Sequence, residues 1–223
     1  MICVSLFDYT GNMLKPWLDA GYECHLFDIQ HPEGDSLRDD GMICHGWDLS
    51  RSMVRWGIKP DFVSAFPPCT HLAVSGARWF RGKGLRALQE SIGYFATSAE
   101  FCEDSCAPYL IENPVSTIST YWRKPDDSFH PHEYAGIEPG DNYTKKTCLW
   151  TGGGFVMPEK QPGTGSPDDR IHKCPPGPDR ANTRSATPMG FARAVFESNH
   201  RRIRGESHCI RVIAEMNAGV ATI

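Results

Sequence analysis

At 223 residues, with 40% hydrophobic and 22% charged positions, the chain has an ordinary globular composition and the length for one domain around a central sheet. A formal charge of −4 excludes the overall basic footprint of a protein held to nucleic acid mainly by phosphate contacts, although Lys and Arg gather at Arg78–Lys83 and His200–Arg204. Nine cysteines, an odd number with no CxxC pair, argue for a reduced, cytosolic chain rather than a disulfide framework, and no apolar run of about 18 residues exists to span a membrane.

Met1–Ser5 reads as the start of a first strand over 2–7, not as a signal peptide. A turn at Gly11-Asn12 follows, then a helix near 13–20 that Gly21 stops. A strand over 23–28 leads into a polar loop through His31–Asp35. Another short strand ends near Asp48, a helix near 50–57 precedes Pro60, and Asp61–Phe66 forms a further strand. This β-α-β alternation predicts an α/β fold with a doubly wound, mostly parallel sheet. Leu85, Leu88, Ile92, Phe95 and Ala96 recur at helical spacing, which predicts a helix over 84–105 between the 61–66 strand and the next one at Tyr109–Ile111. Residues 121–142 are polar and aromatic, and 151–183 are so rich in Gly and Pro that they predict loop. A helix over 187–199 closes the pattern, with Thr187 as its cap and Pro188 in its first turn.

The chemistry is concentrated at two strand ends. The run Asp61–Phe66 stops at Pro67-Pro68-Cys69, and the two prolines fix the backbone that presents the Cys69 thiol. The run Tyr109–Ile111 stops at Glu112-Asn113-Pro114. Two parallel neighbours ending together bring a nucleophile and an acid to one sheet edge, where open α/β folds bind ligands. The plain alternatives are a buried inert thiol at Cys69 and a surface carboxylate at Glu112. The thiol acts as a nucleophile once its pKa is lowered, and Glu112 acts as an acid once burial raises its own. An acidic residue closing the second strand accepts ribose hydroxyls in doubly wound nucleotide folds, and Asp28 holds that place. Asp48 offers a second carboxylate at the next strand end. Cys148, Cys174 and His172 are spaced too irregularly for a metal site, and none is read.

Phe66-Pro67-Pro68-Cys69, Ser75-Gly76 and Glu112-Asn113-Pro114 resemble, in order, the catalytic motifs of the DNA (cytosine-5) methyltransferases, and most nearly their small phage-type members. Ser5–Asn12 resembles that family's cofactor loop, with Tyr9 where a glycine is usual. Ala20–Ile29 and Gly46-Trp47-Asp48 resemble the next two strands. Tyr143–Trp150 resembles the strand flanking the target base, and Arg184-Ser185-Ala186-Thr187-Pro188 the Arg-x-x-Thr-Pro motif. The resemblance spans residues 2 to 198. It implies a fold of the S-adenosylmethionine-dependent methyltransferase (Rossmann-like) type and S-adenosylmethionine as cofactor. The cofactor would be bound by Phe7, Gly11, Asp28, Asp48 and Pro68, with Cys69 as nucleophile and Glu112 as acid.

The same resemblance implies substrate contacts from Ser75, Arg78, Asn113, Lys146, Arg184 and Thr187, with the loop 70–79 closing over a flipped base. The whole of 1–223 is then a single methyltransferase-like domain, in the host cytoplasm if phage-encoded. Residues 151–183 stand in place of the family's recognition domain, and no element is evident that would enter a groove of DNA and read base edges. Carbon-5 methylation of cytosine in DNA is the leading expectation. A free pyrimidine nucleotide as substrate, a partner protein that supplies specificity, and a non-catalytic nucleotide-binding relative stay open.

Overall fold

The computed structural model describes residues 1–50, 57, 59–201 and 203. The expected helix near 50–57 lies almost wholly outside the described residues, as do Arg202 and Arg204 of the second basic cluster. Eight strands are formed: β1 (Ile2–Leu6), β2 (Glu23–Phe27), β3 (Gly34–Leu37), β4 (Ile43–Gly46), β5 (Phe62–Ala65), β6 (Tyr109–Pro114), β7 (Asp127–Phe129) and β8 (Thr147–Gly152). They make one sheet in the order β3-β4-β2-β1-β5-β6-β8-β7. Neighbours from β4 through β2, β1 and β5 to β6 pair in parallel. The expectation of a mostly parallel sheet therefore holds for the centre only. The pairs β3–β4, β6–β8 and β7–β8 are antiparallel.

The central strands are continuous apolar runs because helices cover both faces. Helix α1 (Lys15–Asp19) and a later helix over 189–201, here α6, share one core with Leu26, Phe62, Leu110 and Leu149. Trp17 of α1 is fully buried there and stacks on Phe62 at 4.5 Å. Helix α2 (Phe80–Ser105) covers the other face, its Phe95, Ala99 and Cys102 packing on Val4, Val63, Ile111 and Trp150. The doubly wound arrangement thus follows from period-2 alternation along each strand, which sends Leu110 and Leu149 to one face and Ile111 and Trp150 to the other.

Several sequence-based expectations change. His31–Asp35 is not wholly loop, because Gly34 and Asp35 begin β3; its polar, alternately exposed residues suit a sheet edge but carry no apolar signal. Helix α2 starts at Phe80, with Gly84 (φ 78°, ψ 175°) breaking it after one turn, so Leu85 is 84% exposed and not a core position. Helix α6 begins after Pro188, and the Gly190 N–H donates to the buried Asp141 carboxylate at 2.7 Å, a cap supplied from a distant loop. Between β8 and α6 the described chain forms only α4 (Arg170–Lys173) and α5 (Arg180–Ser185), as the Gly and Pro content predicts. A four-residue helix, α3 (Ile118–Tyr121), follows β6. Among the described residues no helix is long and apolar enough to cross a membrane.

Candidate active site

The strand order β4-β2-β1-β5-β6 reverses direction of travel between β1 and β5, and the crevice beyond that point is where doubly wound sheets bind ligands. On the β1 side, Phe7 adopts φ 54°, a left-handed backbone that a bulky residue seldom takes outside functional turns. Asp8 then organises the loop. Its carboxylate accepts from Ser5 Oγ (2.8 Å), Thr10 Oγ1 (3.1 Å) and the Gly11 N–H (2.8 Å), while Ser64 Oγ on β5 donates to Ser5 Oγ at 2.9 Å. Gly11 sits at φ 76°, and a Cβ there would lie 2.6 Å from Met42 Sδ, so the loop requires glycine at this position. Tyr9 packs against His31 with ring centres 5.3 Å apart and planes tilted by 35°, and remains 44% exposed.

Asp28 follows β2 and is buried, which raises its carboxyl above the usual range; its Oδ1 accepts from the Gln30 N–H at 2.8 Å. Asp48 lies two residues beyond β4, where Oδ1 accepts from Ser50 N–H (3.0 Å) and Ser50 Oγ (2.5 Å). The two carboxylates expected to face the cofactor, Asp28 and Asp48, therefore stand beyond the ends of neighbouring strands.

Cys69 lies half-buried just beyond β5, and Glu112 lies on β6, the next parallel strand. Asn113 joins the two: its Nδ2 donates to the Pro67 carbonyl at 2.9 Å, with the residue only 1% exposed. The chain after Cys69 turns at once, since the Leu72 and Ala73 amides both donate to the Cys69 carbonyl (3.0 and 2.9 Å). Val74 N–H to the Val115 carbonyl and Thr117 N–H to the Leu72 carbonyl, each 3.0 Å, then tie that loop to the segment after β6.

Burial raises the Glu112 carboxyl above its ordinary value, Lys145 opposes this, and Asp8 adds to it. Lys145 Nζ lies 3.8 Å from Glu112 Oε1, both side chains being nearly buried. This lysine was missed from the sequence, where the family pattern pointed to Lys146. Counting back from Leu149, which pairs with Glu112, alternation puts Thr147 and Lys145 on the Glu112 face and Lys146 on the opposite one. Lys146 is exposed and lines a separate cleft of about 520 Å³ with Ser116, Asp127, Cys148 and Trp150.

The thiol departs from expectation. Burial pushes the Cys69 pKa up rather than down; the Glu112 charge adds to this, while Lys145 and Arg184 pull it back. The two acids oppose each other's ionisation, so a proton on Glu112 removes one of the obstacles to a thiolate at Cys69. The field of Arg184 at Cys69 brings α5 into the site. Thr187 is buried, and its carbonyl accepts from Asn12 Nδ2 at 3.0 Å, linking the Arg-x-x-Thr-Pro segment to the β1 loop. Asn182 Nδ2 makes a second link, to Gln30 Oε1 at 3.0 Å. Ser75 and Arg78 are exposed on a 3-10 turn (Val74–Trp79), and Pro68 is exposed beside buried Pro67.

No protein-family model matches the chain, and no curated protein matches its sequence. Among solved structures it is similar to an E. coli protein assigned as a DNA modification methyltransferase encoded within a prophage, with a TM-score of 0.43 and 11% identity over 68% of this chain and 46% of that one. The chain spans less than half the length of that neighbour, and the functional reading rests on the residues of the chain itself.

Proposed function

We propose that the chain is an S-adenosylmethionine-dependent methyltransferase acting on carbon 5 of cytosine in DNA through a covalent cysteine intermediate. The observation that supports this most is the geometry of Glu112, whose carboxyl burial raises above its ordinary value, on the strand next to the Cys69 loop, with Lys145 Nζ 3.8 Å away and Asn113 tying that strand to Pro67. Cytosine C5 is a poor nucleophile until its aromaticity is broken. In this reading the Cys69 thiol gives up its proton to solvent and the thiolate adds to C6, while Glu112 in its protonated form donates to ring N3, so the ring's electron pair collects on C5 as an enamine. The cofactor, when bound, supplies an electrophilic methyl group for C5. A solvent water takes the C5 proton, the C5–H electron pair re-forms the C5–C6 double bond and expels the Cys69 thiolate, and the N3 proton returns to Glu112.

Lys145 and Arg184 offset the negative charge that develops at the thiolate and the ring. The Asp28 and Asp48 carboxylates at adjacent strand ends suit the ribose hydroxyls and the adenine amine, and the loop from Phe7 to Gly11 would hold the methionine part, with Pro68 closing the far side. These donors and acceptors fit the cofactor. The same chemistry on a free pyrimidine nucleotide is the second reading, favoured by the Gly- and Pro-rich stretch where a recognition domain would stand. Transfer of tritiated methyl to duplex DNA, single-stranded DNA and dCMP in parallel separates the two. Label in neither polynucleotide, with label in dCMP, selects the second, and label in none refutes both.

A further inference from the structure

Between Asp61 and Glu90 the chain has no acidic residue, yet Arg78, Arg81, Lys83 and Arg86 follow one another there. All four are exposed, and among the described residues none is paired with a carboxylate. They occupy the 3-10 turn at Val74–Trp79 and the first two turns of α2, a segment that projects before the helix reaches the core at Ser91 and Phe95. Trp79 is 59% exposed, with the Arg78 guanidinium 5.0 Å from its ring centre. Lys83 Nζ donates to the Thr70 carbonyl at 2.8 Å, which anchors this arm one residue from Cys69. The chain as a whole is acidic, so the patch is a local exception and not part of a general trend.

We propose that this arm, rather than residues 151–183, is the polynucleotide-binding element of the chain, and that its ligand is a single DNA strand. Four cations with no carboxylate partner among the described residues, beside an exposed indole, provide the two parts that single-strand binding requires, a track for phosphates and a platform on which an unpaired base stacks. A helix laid in a duplex major groove presents a continuous face, and Gly84 (φ 78°) interrupts this one between Lys83 and Arg86. The nine residues from Arg78 to Arg86 carry four cations, enough to neutralise about three or four phosphates. The strand held there runs past Thr70 to Cys69. The proposal rests on the methyltransferase reading only for what is done to that strand.

Fluorescence anisotropy with a short labelled oligothymidylate, which holds no cytosine for the Cys69 pocket, tests the arm by itself. Three to four neutralised phosphates predict a slope of log Kobs against log salt of about −2 to −3. Arg81→Gln with Arg86→Gln should make that slope shallower by about 1.4. Trp79→Ala should weaken binding by about 5- to 150-fold with the slope unchanged, and Trp79→Phe should restore most of it. An unchanged slope in the double arginine variant, or tighter binding of a matched duplex than of the single strand, would overturn the proposal. Calorimetry with S-adenosylmethionine on the same protein keeps the two readings apart. Cofactor binding without oligonucleotide binding overturns the arm alone, whereas oligonucleotide binding without cofactor binding leaves the arm standing and removes the methyltransferase.

Discussion

Asn113→Ala cuts a buried side-chain bond that ties the Cys69 loop to the Glu112 strand. Removing the Nδ2 donor leaves the Pro67 carbonyl without its 2.9 Å partner in a buried setting. A buried polar group so orphaned costs about 1–3 kcal/mol. Part of that is offset, because Asn113 Oδ1 is itself buried without a hydrogen-bond partner, and its loss removes an existing desolvation penalty. The net expectation is about 1.5 kcal/mol, or a fall in Tm of about 3–6 °C for a chain of this size. The effect on chemistry is larger than the effect on stability. Releasing the Pro67-Pro68 backbone frees the thiol to move by about 1 Å, which costs about 100-fold in rate. Thermal melts paired with single-turnover adduct formation on 5-fluorocytosine DNA measure both quantities. Wild-type Tm together with wild-type adduct rate would refute the claim that Asn113 positions the nucleophile.

Glu112→Gln should abolish turnover yet stabilise the protein at neutral pH. The folded pKa of Glu112 lies above its ordinary value of 4.5, so the native state binds more protons than the unfolded state in the window from 4.5 up to the folded pKa. Wild-type stability therefore falls as pH rises through that window, and the variant should lose this component in urea midpoints measured across it. Lys145→Met removes a charge that lowers the pKa of both Cys69 and Glu112, so the pH profile of Cys69 alkylation by iodoacetamide should move to higher pH. A profile that stays in place would show that Lys145 does not act on the thiol. Asp28→Ala should weaken S-adenosylmethionine binding by about 1–3 kcal/mol in calorimetry, because the ribose hydroxyls lose a charged acceptor.

The β-α-β order and the places of Cys69, Glu112 and Asp28 were legible because punctuation marks them: prolines stop β5 and β6, and apolar runs define the strands. The antiparallel β8 was visible as a strand, but its direction was not, since alternation along one strand does not say which way its neighbour runs. Strand β3 was missed because Gly34–Leu37 is polar and short, and pairing at an edge asks nothing more of it. Leu85 fitted helical spacing and still points to solvent, because Gly84 resets the helix phase one residue earlier. The confusion of Lys145 with Lys146 has a plainer cause. A one-residue slip on a strand exchanges faces, and counting alternation back from Trp150 would have separated them. Asp8 carried a readable signal, Asp-x-Thr-Gly, the pattern of a side chain bonding its own following turn. The raised Cys69 thiol was not readable, since burial and the Glu112 field are tertiary facts.

The most direct test of the central claim is peptide mass spectrometry of the protein incubated with S-adenosylmethionine and 5-fluorocytosine-containing DNA, single-stranded and duplex. Fluorine at C5 cannot leave as a proton does, so the intermediate persists. The expected result is a covalent nucleotide adduct on the peptide carrying Cys69, with the methyl group incorporated, and none in Cys69→Ala. A methylated product from Cys69→Ala at wild-type rate, or no adduct on Cys69 under conditions where wild type transfers methyl groups to DNA, would contradict the covalent mechanism.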